Sequence, residues 1–313
     1  MEAIIVTPPK LFGTDGIRGI PGEGPLTPSM LRRIGRAAGD EILKGIRRNG
    51  SQSFVLVGRD TRRSGKIILK AVARGFSAAG LRVVDAGVLP TPAIAYLAPR
   101  LGAAAGVVIS ASHNPAEFNG VKFFRTDGRK VCETFERVVE KGVVSAPDPG
   151  AGSVSIEMLE GGAEDYLDFL KSTFPADLDL TGVRLVVDAA HGAASSIARR
   201  LFEDLGAHVT PMGDAPDGSN INKKCGATAP AAMEREVVRR KAHCAIALDG
   251  DADRCLLADE KGRPIDGDAL IALSALELQR EGLLRGDRVV LTVMSNLGMV
   301  KFLQDNGIGR IEV

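Results

Sequence analysis

Three aspartates at alternate positions, Asp249, Asp251 and Asp253, form the segment with the clearest chemical meaning. Carboxylates at this spacing, in a loop that leaves an apolar strand, can turn toward one point and offer three oxygens to a hard cation. The alternative, an acidic surface turn, is disfavoured because apolar runs flank the segment on both sides. Three oxygen ligands with open positions suit a Mg²⁺ ion that also holds a phosphate, so the segment predicts a magnesium site.

The same segment also has the acidic positions of an EF-hand calcium loop, because its first, third and fifth residues are Asp and Glu260 falls at the twelfth. That loop requires glycine at its sixth position for a sharp turn, however, and the sixth residue here is Arg254. Strand-like apolar runs, rather than helices, flank the segment. We therefore exclude an EF-hand.

A second reactive segment, from Ser110 to Pro115, reads Ser-Ala-Ser-His-Asn-Pro and follows an apolar run. A serine at the carboxyl end of a strand lies where α/β sheets present ligand-binding groups, and a residue before proline avoids helical geometry, which keeps the turn open. Ser112 is therefore a candidate nucleophile beside His113, with capping of the following turn as its alternative role. A Ser-His-Asp hydrolase is disfavoured, because no Gly-x-Ser-x-Gly elbow surrounds either serine.

Two segments rich in glycine and arginine are typical of anion cradles. Residues 12–19 place three glycines around Arg18, and residues 58–65 place three arginines between a predicted strand and a predicted helix N-terminus. Backbone N–H groups, the helix dipole and the guanidinium groups would all favour a phosphate there. Together with the serine and the aspartate triad, these segments favour phosphoryl transfer.

The elements that must position these residues alternate between apolar β-branched runs and amphipathic stretches, which indicates an α/β protein. Strands are predicted at 54–58, at 104–109 just before Ser110, and at 244–248 just before Asp249. The chain has only 11 Phe, 2 Tyr and no Trp, so its core must be built from Val, Ile, Leu and Ala, as in buried parallel sheets.

Two stretches indicate how the chain is divided. The Pro- and Gly-rich residues 144–155 predict a linker between two α/β series. A third series follows, with a helix at 267–279 and a strand at 288–293, and the sequence stops soon after it. One series with so few strands is too small to bury both faces of a sheet. We therefore expect two complete domains and part of a third.

The charges are distributed unevenly. Residues 1–150 hold 22 Lys and Arg against 13 Asp and Glu, a net charge of +9, and residues 151–313 hold 18 against 26, a net charge of −8. The first half suits anionic ligands and the second suits cations, although solvated surfaces could also differ in this way. Nucleic-acid binding is disfavoured, since so few aromatic residues offer little stacking surface. With no apolar run of ~18 residues and no signal-peptide pattern, we expect a cytoplasmic protein that does not enter membranes.

Five segments together resemble the α-D-phosphohexomutase family, in its order and approximate spacing. They are Phe12–Gly19, Val107–Pro115, Asn119–Phe124, Pro216–Asn222 and Asp249–Arg254. The resemblance implies an α/β fold of tandem α/β/α phosphohexomutase-type domains with mixed sheets. It implies a first domain over 1–148 with the phosphoserine loop, a second over 156–262 with the metal-binding loop, and a partial third over 263–313.

The resemblance also implies a chemistry for these residues. Ser112 would carry a phosphoryl group in the active enzyme, and it would bind Mg²⁺ together with the three aspartates. Candidates for electrostatic and acid-base support are Arg18, His113, Lys122 and Arg254. The implied reaction interconverts glucosamine 6-phosphate and glucosamine 1-phosphate through a bisphosphate, as an isomerase on the route to UDP-N-acetylglucosamine. A phosphorylated hexosamine is then the substrate, with glucose or mannose phosphate as alternatives, and the enzyme could form a homodimer.

Some family patterns are missing from the 313 residues. They contain neither the Gly-Glu-x-Ser-Gly-His type of sugar-recognition loop nor the Arg-x-Ser-Gly-Thr type of phosphate loop. The segment from Cys225 reads Cys-Gly-Ala-Thr-Ala, where the glucosamine-phosphate branch has Cys-Gly-Ser-Thr-His. We therefore expect this chain alone to show little turnover, and a non-catalytic, metal-dependent sugar-phosphate binder is the alternative from another functional class.

Overall fold

The computed structural model describes residues 10–49 and 53–312 of the chain. Its largest sheet has seven strands, which are β1 (Phe12–Gly13), β2 (Gly16–Gly19), β3 (Phe54–Arg59), β4 (Arg82–Val88), β5 (Ala105–Ile109), β6 (Asn119–Phe124) and β7 (Glu157–Met158). The helices that accompany it are α1 (Pro28–Asn49), α2 (Gly65–Ala79), α3 (Thr91–Arg100) and α4 (Glu133–Ser145). We call this sheet with its helices the first unit. Its strand order is β1-β2-β6-β5-β3-β4-β7.

A second unit contains a sheet of five strands. They are β8 (Arg184–Asp188), β9 (His208–Met212), β10 (Cys244–Leu248), β11 (Cys255–Asp259) and β12 (Pro264–Ile265). Its helices are α5 (Gly162–Ser172), α6 (Ala198–Asp204) and α7 (Ala231–Arg240). The strand order is β12-β11-β10-β8-β9.

A smaller third unit follows. It consists of α8 (Gly267–Arg280), β13 (Arg288–Val290), α9 (Leu297–Asp305) and β14 (Arg310–Glu312). The two strands pair in parallel, and the two helices pack on them through a small buried cluster that includes Leu303 and Ile308. Several large apolar side chains of this unit are exposed, among them Val293 and Met294. Short 3₁₀ turns lie at Gly24–Leu26, Gly226–Thr228 and Arg285–Asp287.

The first and second units share one sheet topology. The order β6-β5-β3-β4 in the first recurs as β11-β10-β8-β9 in the second, each with one antiparallel and two parallel pairings. Ser110 follows β5 and Asp249 follows β10, so the two reactive segments leave equivalent strands at their carboxyl ends. Ligands of open α/β sheets bind at these ends, which places both segments where function is expected.

A shared core holds the first two units together. Leu56 and Ile94 of the first unit belong to the same buried cluster as Leu185 and Val187 of the second. Burying apolar surface stabilises this contact by about 25 cal/mol per Å². The two units are thus packed against each other, and their loops meet in a defined geometry.

The predicted α/β fold with mixed sheets is confirmed, and differences lie at particular elements. The strand predicted at 288–293 ends at Val290, and residues 12–19 form the antiparallel hairpin of β1 and β2. The linker predicted at 144–155 is pinned to the first unit, since the Asp148 carboxylate accepts two hydrogen bonds from the Arg32 guanidinium at 2.6 Å each. Among the described helices, none is long and apolar enough to cross a bilayer.

Candidate active site

The serine segment leaves β5 as a tight, buried turn. Ser112 is fully buried and has φ 51°, a left-handed conformation that non-glycine residues seldom adopt. Its backbone N–H donates to Ser110 Oγ at 2.9 Å, and the Ser110 hydroxyl donates to Asp60 Oδ2 at 2.5 Å. These bonds hold Ser112 in its unusual conformation and fix the direction of its side chain.

A buried ion pair supports the same turn from the loop after β3. The Arg62 guanidinium pairs with Asp60, and both side chains are inaccessible to solvent. Arg62 also donates to the carbonyl oxygens of Ser112 and Asn114, at 3.2 and 2.5 Å. Burial raises the pKa of Asp60, although the adjacent Arg62 charge opposes this effect. Arg62 thus works inside the protein as a support for the serine turn.

The aspartate segment forms the corresponding loop after β10. Asp249 and Asp251 are buried and Asp253 is exposed, and one carboxylate oxygen from each lies within 4.8 Å of the others. Thr91, at the start of α3, donates its hydroxyl to Asp251 Oδ2 at 2.6 Å and its backbone N–H to the Asp251 carbonyl at 2.9 Å. The first unit therefore orients a carboxylate that the second unit supplies.

The two segments meet at the serine hydroxyl. Ser112 Oγ donates to Asp249 Oδ2 at 2.6 Å and accepts from the Arg254 guanidinium at 2.6 Å. Burial, and then the charge of Asp251, raises the pKa of Asp249 to about 6. The Ser112 hydroxyl oxygen therefore lies between a carboxylate that can accept its proton and a guanidinium that can stabilise negative charge beside it.

Arg254 and His113 form the rim of this centre. The Arg254 guanidinium contacts His113 Nδ1, and a guanidinium has no acceptor, so Nδ1 accepts the hydrogen bond. Burial, and then the charges of Arg254 and Arg18, lowers the pKa of His113. The imidazole is therefore neutral near pH 7, with its proton on Nε2.

Lys122, on β6, neutralises part of the acidic cluster. Its Nζ lies 2.7 Å from Asp15 Oδ2, 2.8 Å from Asp251 Oδ2 and 3.4 Å from Asp253 Oδ2. Burial lowers the pKa of Lys122, but the Asp251 and Asp15 carboxylates outweigh burial and raise the pKa overall. For Asp251 the effect of burial is to raise the pKa. The Lys122 charge and the Thr91 hydrogen bond outweigh burial, so the pKa of Asp251 is lowered overall. Lys122 and the buried carboxylate are thus both ionised.

The donor set fits a hard divalent cation. Three carboxylates converge, and Asp251 Oδ1 is buried without a hydrogen-bond partner among the described residues. An unpaired, buried carboxylate oxygen is costly unless a cation satisfies it. Oxygen donors of this kind suit Mg²⁺.

An open cavity of ≈ 800 Å³, lined in part by His113 and Arg254, is large enough for a phosphorylated sugar. Residues 10–16, in and around the β1–β2 hairpin, line one side of the cavity, and Arg18, His113 and Arg254 contribute positive or polar groups. Arg18 is held at the wall by Asn114 Oδ1 at 3.3 Å and Asp15 Oδ2 at 3.1 Å.

Family models match nearly the whole chain. The models of phosphoglucomutase/phosphomannomutase α/β/α domains I, II and III match residues 9–147, 164–262 and 266–313. The chain belongs to the phosphoglucomutase/phosphomannomutase family.

Individual members of this family are similar over most of the chain. A phosphoglucosamine mutase from Sorangium cellulosum is 47% identical over 300 residues, and one from Granulibacter bethesdensis is 46% identical over 310 residues. These matches cover 94% and 97% of this chain, but 62% and 66% of the two relatives. The structure of a phosphoglucomutase/phosphomannomutase family protein from Burkholderia thailandensis superposes with a TM-score of 0.80 at 29% identity, covering 97% of this chain and 65% of that one.

The structure brings the predicted site residues of this family member together. Ser112 contacts Asp249 and Arg254, and Lys122 contacts Asp251 and Asp253. His113 and Arg18 lie at the same cavity. The roles assigned to these residues stay predictions.

The anion cradle predicted at 58–65 is wrong for two of its arginines. Arg59 pairs with the Asp85 carboxylate at 2.5 and 2.7 Å, and Arg62 pairs with Asp60. Both guanidinium groups are buried and held in ion pairs inside the protein, so they support the fold instead of an external phosphate. For Arg59 the sequence does not show this, because its acidic partner Asp85 lies on another strand.

Several residues of the centre escaped the sequence interpretation. Thr91 lies in none of the segments named above, whereas Asp60 lies in the predicted cradle and Asp15 and Asn222 lie in segments of family resemblance, but no pattern singles out any of the four. Asn222 Nδ2 donates to the Ser112 and Asn114 carbonyls, at 2.9 and 3.1 Å. No local pattern marks such residues, because each reaches the centre only through the tertiary fold.

Proposed function

We propose that the chain carries the phosphoryl-transfer centre of a phosphoglucosamine mutase. The observation that carries the proposal is the position of Ser112 Oγ, 2.6 Å from both Asp249 Oδ2 and the Arg254 guanidinium. The curated relatives at 46–47% identity, which are phosphoglucosamine mutases, support the choice of substrate. Because the chain spans only 62–66% of their length, the activity of the whole protein is part of this proposal.

In the proposed reaction Ser112 carries the phosphoryl group between two positions of one sugar. Phosphoserine gives its phosphoryl group to the free hydroxyl of glucosamine 6-phosphate or glucosamine 1-phosphate, which produces the bisphosphate. The bisphosphate reorients, and the other phosphoryl group returns to Ser112, so the enzyme is regenerated and the sugar is isomerised. The net reaction consumes no phosphate donor.

The residues of the chain have distinct roles in this proposal. The three aspartates and the phosphoserine hold Mg²⁺, which when bound would neutralise charge on the transferring group. Arg254 orients the serine oxygen through its hydrogen bond. Lys122 keeps Asp251 ionised, and Arg18 and His113 face the cavity where the sugar phosphate would bind. Phosphoryl transfer depends mainly on such positioning and charge stabilisation.

The experiment that tests the proposal follows one phosphoryl group. The purified chain is incubated with glucose 1,6-bisphosphate, one sample with Mg²⁺ and a parallel sample with EDTA. The intact mass of each sample is measured before and after the incubation. We expect a gain of one phosphoryl group that requires Mg²⁺ and is lost in Ser112→Ala. Ser145→Ala is the matched control, since Ser145 is exposed at the end of α4 and bonds only to its own helix.

Transfer to sugars then separates the candidate substrates. The phosphorylated chain is mixed with glucosamine, glucose or mannose phosphate, and the bisphosphate formed is measured by ³¹P NMR. We expect the fastest transfer to glucosamine phosphate, with slow overall turnover because the two family loops named above are not in these 313 residues. Metal-dependent sugar-phosphate binding with no phosphoserine would identify a non-catalytic binder. Full turnover would overturn the expectation of a slow chain.

As part of the same proposal, the chain divides into domains at residues 1–148, 156–262 and 263–313. β7, at residues 157–158, pairs with β4 of the first sheet, so the start of the second segment adds a strand to the first unit. We further propose a cytoplasmic enzyme that forms a homodimer and does not bind nucleic acid. Light scattering of the purified chain tests the dimer, and salt-dependent DNA binding would contradict the last point.

A further inference from the structure

Asn222 lies in the loop between β9 and α7 and reaches across to the first unit. Its Nδ2 donates to two carbonyl oxygens of the serine turn, those of Ser112 at 2.9 Å and of Asn114 at 3.1 Å. Arg62 donates to the same two carbonyls from within the first unit. The turn that carries the serine is therefore held from both units at the same two atoms.

Asn222 is itself fixed by the second unit. Its backbone has the left-handed φ of 58°, and its N–H donates to the Ala190 carbonyl at 2.9 Å. The Ala190 N–H donates in turn to Asp188 Oδ1 at 2.9 Å, and Asp188 is fully buried. The backbone of Asn222 is thus anchored to the end of β8, and β8 pairs with β10, the strand that precedes the aspartate loop.

The same amide also packs on the aspartate loop. A Cβ built on Gly250 would lie 2.8 Å from Asn222 Nδ2 and 2.6 Å from the Ser112 carbonyl oxygen. Asn222 therefore lies between the serine turn and the loop of Asp249 and Asp251. A side chain in this place controls how far apart the two loops stand.

We propose that Asn222 is a positioning residue that sets the distance between Ser112 Oγ and the Asp249 carboxylate. Ser112 keeps its left-handed backbone only while its neighbours determine that conformation. Without the Asn222 amide, the second unit loses its direct hydrogen bonds to the Ser112 and Asn114 carbonyls. The inference rests on the proposed phosphoryl transfer, because it assigns Asn222 a part in that reaction.

The test measures the rate at which Ser112 takes a phosphoryl group from glucose 1,6-bisphosphate in the presence of Mg²⁺. In this step the sugar P–O bond breaks, a P–Oγ bond forms, and the serine proton ends on the released sugar hydroxyl. Asn222→Asp keeps the shape but faces two carbonyl oxygens with a carboxylate. We expect the single-turnover rate at saturating bisphosphate to fall about 10- to 100-fold, since a displacement of about 1 Å can cost 10²-fold.

A matched control lies two residues away in the same loop. Asn220 bonds only to its own loop, through the Asp217 N–H and the Ala215 carbonyl, so Asn220→Asp should phosphorylate like wild type. The bisphosphate concentration for half-maximal rate should change less than threefold in Asn222→Asp, because the cavity lining does not include Asn222. A purely structural role would lower the melting temperature without changing the rate of the folded protein.

Asn222→Ala is a second variant for the case in which Asn222→Asp does not fold, since it removes the hydrogen-bond donor without adding a charge. It should lose rate in the same direction, and its circular dichroism shows whether it is folded. A wild-type rate in folded Asn222→Ala would overturn the inference while the proposed function stands. If wild-type protein gains no phosphoryl group on Ser112, the proposed function fails instead, and the inference fails with it.

Discussion

Gly250 gives the sharpest test of how closely the serine and aspartate loops approach. A Cβ at this position would lie 2.6 Å from the Ser112 carbonyl oxygen and 2.8 Å from Asn222 Nδ2, whereas ordinary contacts begin at 3.4 Å. In Gly250→Ala the loops must therefore separate by about 0.6–0.8 Å, and such overpacking costs about 1–3 kcal/mol. The hydrogen bond from Ser112 Oγ to Asp249, now 2.6 Å, would lengthen past about 3.0 Å and weaken.

Urea unfolding followed by circular dichroism measures the stability change, and Ser112 phosphorylation measures the change in geometry. We expect a lower urea midpoint with an unchanged slope, and a phosphorylation rate reduced by up to about 10²-fold. Gly45→Ala is the control: Gly45 lies inside α1, a Cβ there meets nothing within 4 Å, and alanine should stabilise the helix by about 0.5–1 kcal/mol. A Gly250→Ala variant with wild-type midpoint and rate would refute the close approach of the loops.

Three further predictions concern charge. Mg²⁺ at about 100 times its Kd should stabilise the protein by about 2.7 kcal/mol, and Asp251→Asn should remove most of the thermal shift in a Mg²⁺ titration. Lys122→Met leaves buried Asp251 without its cation, so the free energy of unfolding in EDTA should fall by about 3–5 kcal/mol, and Mg²⁺ should restore part of this loss. Equal urea midpoints of Lys122→Met and wild type in EDTA would contradict the pairing. The Arg32 hydrogen bonds hold the pKa of Asp148 well below its usual 3.8, so the stability it contributes is present above the unfolded pKa and is lost as the pH falls through the lower folded value. Asp148→Asn should therefore be less stable than wild type at pH 7, with the difference shrinking in acid; a constant difference between pH 7 and pH 2 would contradict this.

The convergence of the three carboxylates was predictable because they all come from one loop. Asp249, Asp251 and Asp253 alternate in sequence, so their convergence needs only a turn after an apolar strand. The hydrogen-bond partners of the aspartate and serine loops are distant in sequence. Thr91 lies 160 positions from Asp251, and Asn222 lies 110 positions from Ser112. Such contacts depend on how the two units pack, which no local pattern records.

The strands were predictable for a similar reason. The apolar run before Asp249 predicts β10 with its observed ends, 244–248, whereas the sequence pattern does not predict helix α3. Its sequence, with a proline near each end and alanines between, has few polar residues, and four of its ten residues pack into the core shared with the second unit. Without a polar stretch opposite the buried face, the periodicity that reveals a surface helix is weak.

The contrast between a basic and an acidic half has a narrower meaning in the structure than in the sequence. Among ion pairs of the described residues, only three join residues before 151 to residues after it. One is the exposed pair of Arg82 and Glu157, and exposed pairs contribute about 0–1 kcal/mol. The other two belong to Lys122, which is buried against Asp251 and Asp253. The charge of the first half therefore acts on the acidic cluster chiefly through one lysine. A variant such as Lys122→Met should thus disturb the acidic cluster far more than neutralising any exposed arginine of the first unit.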